Sequence, residues 1–241
     1  EQGLQLLVAA MLTDDIDKMK VLISAKASLG VSNENDKSPL IVAVENGKTA
    51  ATEVLVSGGA SVDACNSQGV TALMAAAATG RKNEAQALIA AMASVELKDT
   101  DGRTALHMVA LHGEVDTGRE LIDAGAQVDA EDNEGLAPLG SAVSVGQVDA
   151  MKMLIDAEAS LEHRNKAGQT ALLLAAANGQ ATTAQVLVDT GADLTATDKD
   201  GNSAVTMTAL HNHRGVLDIL VTAKAPLTAP NASGETPLKL A

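Results

Sequence analysis

The chain has 241 residues, with 31 acidic and 17 basic side chains and a formal net charge of −14. An acidic surface of this kind repels nucleic-acid phosphates and anionic membranes, so neither is expected as a partner. Phe, Tyr and Trp are all absent, which removes the side chains on which single-stranded bases usually stack. With 46% hydrophobic and 20% charged residues, the composition is that of a folded protein.

The single cysteine, Cys65, excludes an internal disulfide framework and favours an intracellular location, cytoplasmic or nuclear. No apolar run of about 18 residues is present, so no membrane insertion is expected. The chain begins at Glu1 rather than at a methionine and lacks a basic signal-peptide start. We therefore expect a fragment or a processed form.

A tripeptide similar to Thr-Ala-Leu or Thr-Pro-Leu returns along the chain every 33 residues, without insertion or deletion. The third residue of each copy is here called the repeat leucine, although one copy has a valine. These residues are Leu7, Leu40, Leu73, Leu106, Leu139, Leu172, Val205 and Leu238. Glycine stands four residues before this position in every copy except the second, which has Asp36. A further glycine follows seven residues after it at Gly47, Gly80, Gly113, Gly146 and Gly179. The register predicts a repeat protein.

The first half of each repeat has the pattern of a short helix, as residues 102–134 illustrate. Thr104 is a helix N-cap residue. Leu106, Val109 and Ala110 lie at the spacing of one apolar helix face. Gly113 is expected to end this helix at its C′ position.

The second half of the repeat is predicted to be another helix followed by a turn. Gly125 ends that helix, and its inward-facing residues are expected to be Val115, Leu121 and Ile122. The link that follows, here called the finger, carries Asp or Asn seven residues before the repeat leucine. These residues are Asn33, Asn66, Asp99, Asp132, Asn165, Asp198 and Asn231. They favour an Asx-type turn, and neighbouring repeats must stack because none can bury its apolar face alone.

The period, the tripeptide and a Gly-Ala-x-Val-Asp ending to the second helix (residues 59–63 and 125–129) resemble ankyrin repeats over essentially the whole chain. The resemblance implies an all-α fold, an ankyrin-repeat solenoid of stacked helix-turn-helix units with β-turn fingers. We predict a single domain over 1–241 with seven repeats and the start of an eighth. Their ranges are 3–35, 36–68, 69–101, 102–134, 135–167, 168–200, 201–233 and 234–241.

Some residues depart from the family pattern. Asp36 replaces a turn glycine, so its finger is expected to be less regular. Gly118 and Gly140 lie inside predicted helices, cost roughly 1 kcal/mol each in helix propensity, and are expected to leave space that larger residues fill elsewhere. The asparagine that the family carries after the finger valine, a known hydroxylation target, is replaced by Asp63, Glu96, Asp129, Glu162 and Thr195.

No known catalytic or nucleotide-binding motif is present, so the chain is not expected to be an enzyme or to bind a cofactor, metal or small-molecule substrate. His211 and His213 are two residues apart and would face different ways on a helix. Cys65 lies in a finger without a neighbouring His or Lys to activate it, so an exposed, unreactive thiol is expected.

The acidic charge is concentrated, because residues 96–136 alone carry a net charge of −8. The acids of the two fingers in this range are Glu96, Asp99, Asp101, Asp129, Glu131, Asp132 and Glu134. The next finger, residues 163–166, is basic instead. The acidic fingers fit either a solvated rim or an electrostatic landing site for a partner.

The resemblance implies a concave recognition face formed by the finger tips and the exposed side of the first helices. The residues expected to contact a partner there are Asp101, Arg103, Leu111, His112, Asn133, Glu134, Leu136, Ser144, Val145, Lys166, Gln169 and Asn178. Leu111, Leu136 and Val145 are apolar where polar residues are usual, which fits either scattered aliphatics or a contact patch.

The predicted function is a non-catalytic protein–protein interaction module that binds a partner with a basic and partly apolar surface. The alternative is a structural subunit, or a fragment of a larger ankyrin-containing protein, held permanently in an assembly. The end of the sequence at Leu240-Ala241, half-way through a repeat, supports the alternative.

Overall fold

The structure, a computed structural model, describes residues 2–240. In this range the regular elements are helices, accompanied by two isolated β-bridges, Cys65 with Thr71 and Thr197 with Ser203. The chain divides into two compact units, Glu1–Gln127 and Val128–Ala241, which are described in turn.

The helices of the first unit form successive pairs. Their bounds are α1 Gln2–Leu12, α2 Ile16–Ser24, α3 Pro39–Glu45, α4 Thr49–Ser57, α5 Ala72–Thr79, α6 Lys82–Ala90, α7 Ala105–His112 and α8 Val115–Asp123. Each first helix packs against its paired second helix, and the first helices α1, α3, α5 and α7 pack on one another in order. The second helices also pack on one another in order. This is the stacked arrangement that the 33-residue register predicts.

The second unit repeats the pattern. Its helices are α9 Pro138–Val145, α10 Val148–Asp156, α11 Ala171–Ala177, α12 Ala181–Asp189, α13 Ala204–Leu210, α14 Arg214–Thr222 and α15 Pro237–Leu240. The first helices α9, α11, α13 and α15 pack on one another in sequence order, and each of the first three also packs on its paired second helix. The all-α fold of stacked helix-turn-helix units predicted from the sequence is confirmed.

Side-chain caps define where the first helices begin. Four hydroxyls accept a hydrogen bond from the backbone N–H three residues on, those of Ser38, Thr71, Thr170 and Ser203. At Thr104 the cap is reciprocal, because Nδ1 of the buried His107 lies 3.1 Å from the Thr104 backbone nitrogen and 2.9 Å from its hydroxyl. Ala137 has no capping oxygen, but Pro138 at the first helical position needs no N–H partner. The predicted helix starts are thus satisfied locally.

The core of each unit is made of the repeat leucines and small residues. The repeat positions from Leu7 to Val205 are at most 2% exposed, so each such leucine contributes about 1.5–3 kcal/mol by burial. Helix α5 is buried on nearly all sides, and its alanines allow α3, α6 and α7 to approach closely. Thin, alanine-rich helices explain how a chain without aromatics fills its core.

The inward face of α8 differs from the prediction. Leu121 is fully buried, but Val115 and Ile122 are only half-buried. Thr117 and Gly118 occupy the remaining buried positions. Helix α8 lies against α6 and α7, so its buried face is narrow and is occupied by small residues.

The turn between paired helices is covered by a side chain from the following repeat. Arg81 lies over Gly47 in the first unit, and His213 lies over Gly179 in the second. A Cβ atom on Gly47 would stand 2.9 Å from Arg81 Nη1, and one on Gly179 would stand 2.5 Å from His213 Nδ1. Both glycines also have positive φ angles, +64° and +68°. These turns therefore require glycine for two independent reasons.

The finger that carries Asp36 is as regular as the others, so the prediction of an irregular finger is wrong. Asp36 has φ of 58°, and its backbone N–H donates to the carbonyl of Asn33 at 2.9 Å. In the next finger, Gly69 makes the same bond to Asn66 at 2.9 Å. Aspartate tolerates the left-handed conformation well enough to preserve the turn.

Gly140 lies inside α9 as predicted, but the space beside it is filled. A Cβ atom on Gly140 would stand 2.7 Å from Cδ2 of Leu136, whose side chain packs over the glycine. The prediction of unfilled space is therefore wrong at this position. Gly118 is buried within α8, where it keeps its cost in helix propensity.

Candidate protein-binding surface

The Asx residues of the fingers all act as predicted. Each side-chain oxygen accepts hydrogen bonds from the backbone N–H groups two and four residues on, in every one of the seven fingers. Asp99 and Asp132 are among them, so two of the acids in the highly charged segment build the turn. Their bonds hold the finger tip in a defined shape, which is a requirement for a recognition loop.

Backbone hydrogen bonds join successive fingers within each unit. Thr100 donates to the carbonyl of Gln68 in the first unit, and Lys166 donates to the carbonyl of Glu134 in the second, both at 2.9 Å. At the first junction Ser67 donates instead to Oδ2 of Asp36, at 2.6 Å. The hydroxyl and the backbone N–H of Ser67 lower the pKa of Asp36 by hydrogen bonding to its carboxylate.

The acids that replace the family's asparagine have a structural role that the sequence did not reveal. In the first unit, the carboxylates of Asp63 and Glu96 accept from backbone N–H groups 31 residues on, at 2.9 and 2.7 Å. In the second unit, Asp129 and Glu162 do the same, with Oδ1 of Asp129 at 3.1 Å and Oε1 of Glu162 at 2.8 Å from their donors. Each of these acids stands 31 residues before its backbone donor. This constant spacing was the signal available for predicting the bonds, because it links an acid in one finger to the end of the second helix in the next repeat.

The predicted contact residues of the first unit lie near the end of the 97–103 finger and the end of α7. Asp101 is exposed and forms an ion pair with Arg103 at 3.1 Å. Leu111 is half-buried, and His112 is exposed in the last turn of α7. This finger therefore presents one positive and one negative side chain, Arg103 and Asp101, which already form an ion pair with each other.

The predicted finger residues of the second unit are mostly engaged with neighbouring backbone. Asn133 and Glu134 are exposed at the finger tip. Lys166 donates its ammonium group to the Asn133 carbonyl, and half-buried Gln169 accepts from the side-chain amide of Asn165 at 3.1 Å. The Glu134 carboxylate is thus an exposed acid at the tip of this finger.

The predicted helix residues of the second unit lie at the ends of α9 and α11. Val145 is 51% exposed, whereas Leu136 is half-buried over Gly140 and is mainly a packing residue. The Ser144 hydroxyl donates to Ser141, and the exposed Asn178 reaches the Ser144 carbonyl with its side-chain amide at 3.4 Å.

One exposed aliphatic at an equivalent position was missed. Leu210 ends α13, is 44% exposed, and stands five residues after its repeat position, as Leu111 and Ser144 do. That spacing of five residues is the sequence signal for this position.

The basic side chains of the 163–166 finger mostly hydrogen-bond to backbone carbonyls within the second unit. Arg164 donates to the carbonyls of Gly168 and Thr197, at 2.8 and 2.6 Å. His163 Nε2 lies 3.0 Å from the Gly135 carbonyl. Arg164 and His163 stabilise the fingers by hydrogen bonding to backbone carbonyls.

The remaining candidates for chemistry in residues 2–240 are the metal-ligating side chains and the single cysteine. Within that range, no three His, Cys, Asp or Glu side chains converge as a metal site would require. The His211 and His213 rings stack with centroids 5.8 Å apart, which corrects the prediction that they face different ways. Cys65 is a free, exposed thiol, as predicted. None of the helices described here has the length and apolarity needed to cross a bilayer.

Comparisons with known proteins agree with this architecture. A family model described as ankyrin repeats (3 copies) matches residues 6–99, 82–165 and 159–231. The crystal structure of the human ASB11 ankyrin repeat domain superposes with a TM-score of 0.77 at 24% sequence identity, covering 85% of this chain and 92% of that one. No curated protein sequence matches the chain. At this level of identity the structural likeness concerns the fold alone.

Proposed function

The chain belongs to the ankyrin repeat family, and on that premise we propose that it is a non-catalytic module that binds a partner protein through its concave face. Ankyrin repeats are generic protein-interaction scaffolds, which supports the general role. The concave face, the partner's character and the residues below are our proposal for this chain.

We also propose that residues 1–241 form one repeat domain of seven repeats with the start of an eighth. The unbroken 33-residue register of the repeat leucines supports this, as does the succession of helix pairs followed by α15. An intracellular location, cytoplasmic or nuclear, is proposed because the only cysteine is a free thiol.

The observation that carries the binding proposal is Val145. It is a β-branched aliphatic side chain, half exposed at the end of α9, at a position where the family contacts partners. Burying it against a partner would remove apolar surface from water, a favourable term of about 25 cal/mol per Å². Glu134 in the adjoining finger adds an exposed negative charge.

The contact residues are proposed for each unit separately. Those of the first unit are Asp101, Arg103, Leu111 and His112. Those of the second unit are Asn133, Glu134, Leu136, Ser144, Val145, Lys166, Gln169 and Asn178, with Leu210 added from its exposure. The net charge of −14 supports a partner whose surface is basic, and the exposed Val145 and Leu210 support one that is partly apolar.

A quantitative affinity capture tests this proposal. The immobilised chain, its Val145→Ser variant and its Val221→Ser variant are compared on the same extract. Val221 is the matched control, because it is 47% exposed in the same unit but lies on the second helix α14. The proposal expects a protein that the wild type and Val221→Ser retain and that Val145→Ser loses. Equal capture by all three, or loss only with Val221→Ser, would contradict it.

A second candidate function is a structural subunit held permanently in an assembly. It is favoured by a groove of about 690 Å³ beside α1, whose apolar lining residues Leu4, Val8, Leu12 and Val31 face the polar residues 32–35. Such a subunit should self-associate or precipitate when isolated, because its apolar surface lacks its usual cover. Analytical ultracentrifugation of residues 1–241 separates the two candidates, since the binding module should remain monomeric.

A further inference from the structure

The chain contains two Asn-Gly dipeptides, Asn46-Gly47 and Asn178-Gly179. In this dipeptide the glycine nitrogen, unhindered by a Cβ atom, can attack the asparagine side-chain carbonyl. Both asparagines are exposed and end a first helix, α3 or α11. Their backbones match closely, with φ and ψ of −88° and 4° at Asn46 and −91° and −2° at Asn178. Intrinsic reactivity is therefore nearly equal at the two sites.

The side chain that covers each glycine is different. Arg81, over Gly47, is always protonated and cannot accept a proton. His213, over Gly179, has Nε2 3.0 Å from the Ala177 carbonyl. A carbonyl only accepts, so in the neutral ring Nε2 carries the hydrogen and Nδ1 has a free lone pair. Nδ1 is the His213 atom nearest to the position that a Cβ on Gly179 would occupy, at 2.5 Å.

The hydrogen bonds of the asparagine side-chain amide and of the glycine N–H also differ in length between the two turns. Asn46 donates its side-chain amide to Val42 at 2.8 Å, and the Gly47 N–H donates to Val44 at 3.0 Å. The corresponding bonds of the second turn, from Asn178 to Ser144 and from Gly179 to Ala176, are both 3.4 Å long. Longer hydrogen bonds are weaker, so the side-chain amide of Asn178 and the Gly179 N–H, the two groups that react, are held less tightly than those of Asn46 and Gly47.

We propose that Asn178 is a site of spontaneous deamidation, with His213 as the base that promotes it. The Gly179 nitrogen forms a bond to Cγ of Asn178, and its proton passes to Nδ1 of His213. The Cγ–Nδ2 bond then breaks, and the departing amide takes a proton back and leaves as ammonia. Water opens the resulting succinimide at either carbonyl to give aspartate or isoaspartate. The reaction consumes one water, and no redox partner is needed.

The modification adds a negative charge at the end of α11. The C-terminal end of a helix already carries partial negative charge, so the product is expected to loosen the turn further. Asn178 is also one of the proposed contact residues. The effect on a partner rests on the function proposed above, but the chemistry at Asn178 does not.

The test is peptide mapping by mass spectrometry after incubation of the purified chain at neutral pH. In the folded chain, aspartate and isoaspartate should accumulate at position 178 severalfold faster than at position 46. In guanidinium chloride, where neither covering side chain is held in place, the two rates should be equal. This internal comparison needs no partner, so its outcome is independent of the binding proposal.

Two reciprocal variants identify the base. His213→Arg copies the first turn and should lower the rate at Asn178 to that at Asn46. Arg81→His should raise the rate at Asn46 and leave Asn178 unchanged. Should His213→Arg unfold the second unit, His213→Gln replaces it, because Gln180 already covers Gly146. Equal rates at the two sites in the folded wild type, or an unchanged ratio in a folded His213 variant, would overturn the proposal.

Discussion

The carboxylate of Asp36 accepts a hydrogen bond from the backbone N–H of Ser67, at the junction where later fingers use a backbone carbonyl as the acceptor. The residue that breaks the glycine series therefore also supplies a bond between two repeats. Aspartate at this position combines a tolerated left-handed backbone with an acceptor that glycine lacks.

This bond predicts a pH dependence. The hydrogen bonds from Ser67 lower the folded pKa of Asp36 below its ordinary value of 3.8, so the carboxylate stabilises the fold above that pH. That contribution is lost as the pH falls through the lowered pKa. Asp36→Asn should be less stable than the wild type at neutral pH, and the difference should vanish in strong acid. Urea unfolding over a pH series measures it, with Glu53→Gln as a control for simple charge loss. A difference that persists unchanged in acid would exclude the carboxylate as its source.

The covered turn at Gly179 predicts a specific cost for a methyl group. Gly179→Ala must adopt positive φ and also displace the His213 ring. Gly191→Ala has the same backbone problem, at φ of 92°, but nothing lies within 4 Å of its Cβ. We expect about 1–2 kcal/mol of destabilisation for Gly191→Ala and clearly more for Gly179→Ala. Chemical denaturation compares the two, and equal losses would mean that the ring moves away freely.

Leu136 is predicted to contribute to stability through Gly140. Leu136→Ala removes the side chain that packs over the glycine, so it should cost about 1–2 kcal/mol, in keeping with a half-buried leucine. Val145→Ala, at an exposed position of the same helix region, should change stability by less than about 0.5 kcal/mol. If Leu136→Ala proved neutral, the packing of Leu136 over Gly140 would not contribute to stability.

Helix α8 is predicted to open more readily than α12. It contains Gly118, and the buried Thr117 hydroxyl lacks a hydrogen-bond partner. Both features raise the free energy of the closed helix. Amide hydrogen exchange should therefore be faster in Val115–Asp123 than in Ala181–Asp189. Equal or slower exchange in α8 would show that packing outweighs both effects.

The fold could be predicted from the sequence because its determinants are local and periodic. The repeat leucines, the N-cap residues such as Thr71 and the Asx residues such as Asp99 each act within a few residues of themselves. The interactions that escaped prediction join residues 31 to 36 apart, as Asp63 does with the Ser94 N–H and His213 with Ala177. The prediction of unfilled space beside Gly140 failed for a related reason. The space that a glycine leaves can be filled by a neighbouring side chain, here that of Leu136, which residue spacing alone does not identify.

The candidate surface was predicted less completely than the fold. The availability of a cation to a partner depends on which carbonyls lie within its reach, and Arg164 and Lys166 donate to the carbonyls of Thr197 and Asn133 in adjoining fingers. The charge of the sequence alone could not reveal this, because a basic finger has the same residues whether its cations donate to carbonyls or point into solvent. Val145 was selected correctly as an exposed position because its offset from the repeat leucine places it at the helix end.

The most direct test of the binding account is the association rate of the captured partner with Glu134→Lys, measured over a range of salt concentrations. Glu158→Lys is the matched control, because Glu158 is also exposed in the second unit and lysine occupies the equivalent position at Lys224. The account predicts that Glu134→Lys slows association and flattens its salt dependence, because charge steering by the finger is lost, while Glu158→Lys has a smaller effect. Equal association rates and salt slopes for the two variants would contradict binding at this face.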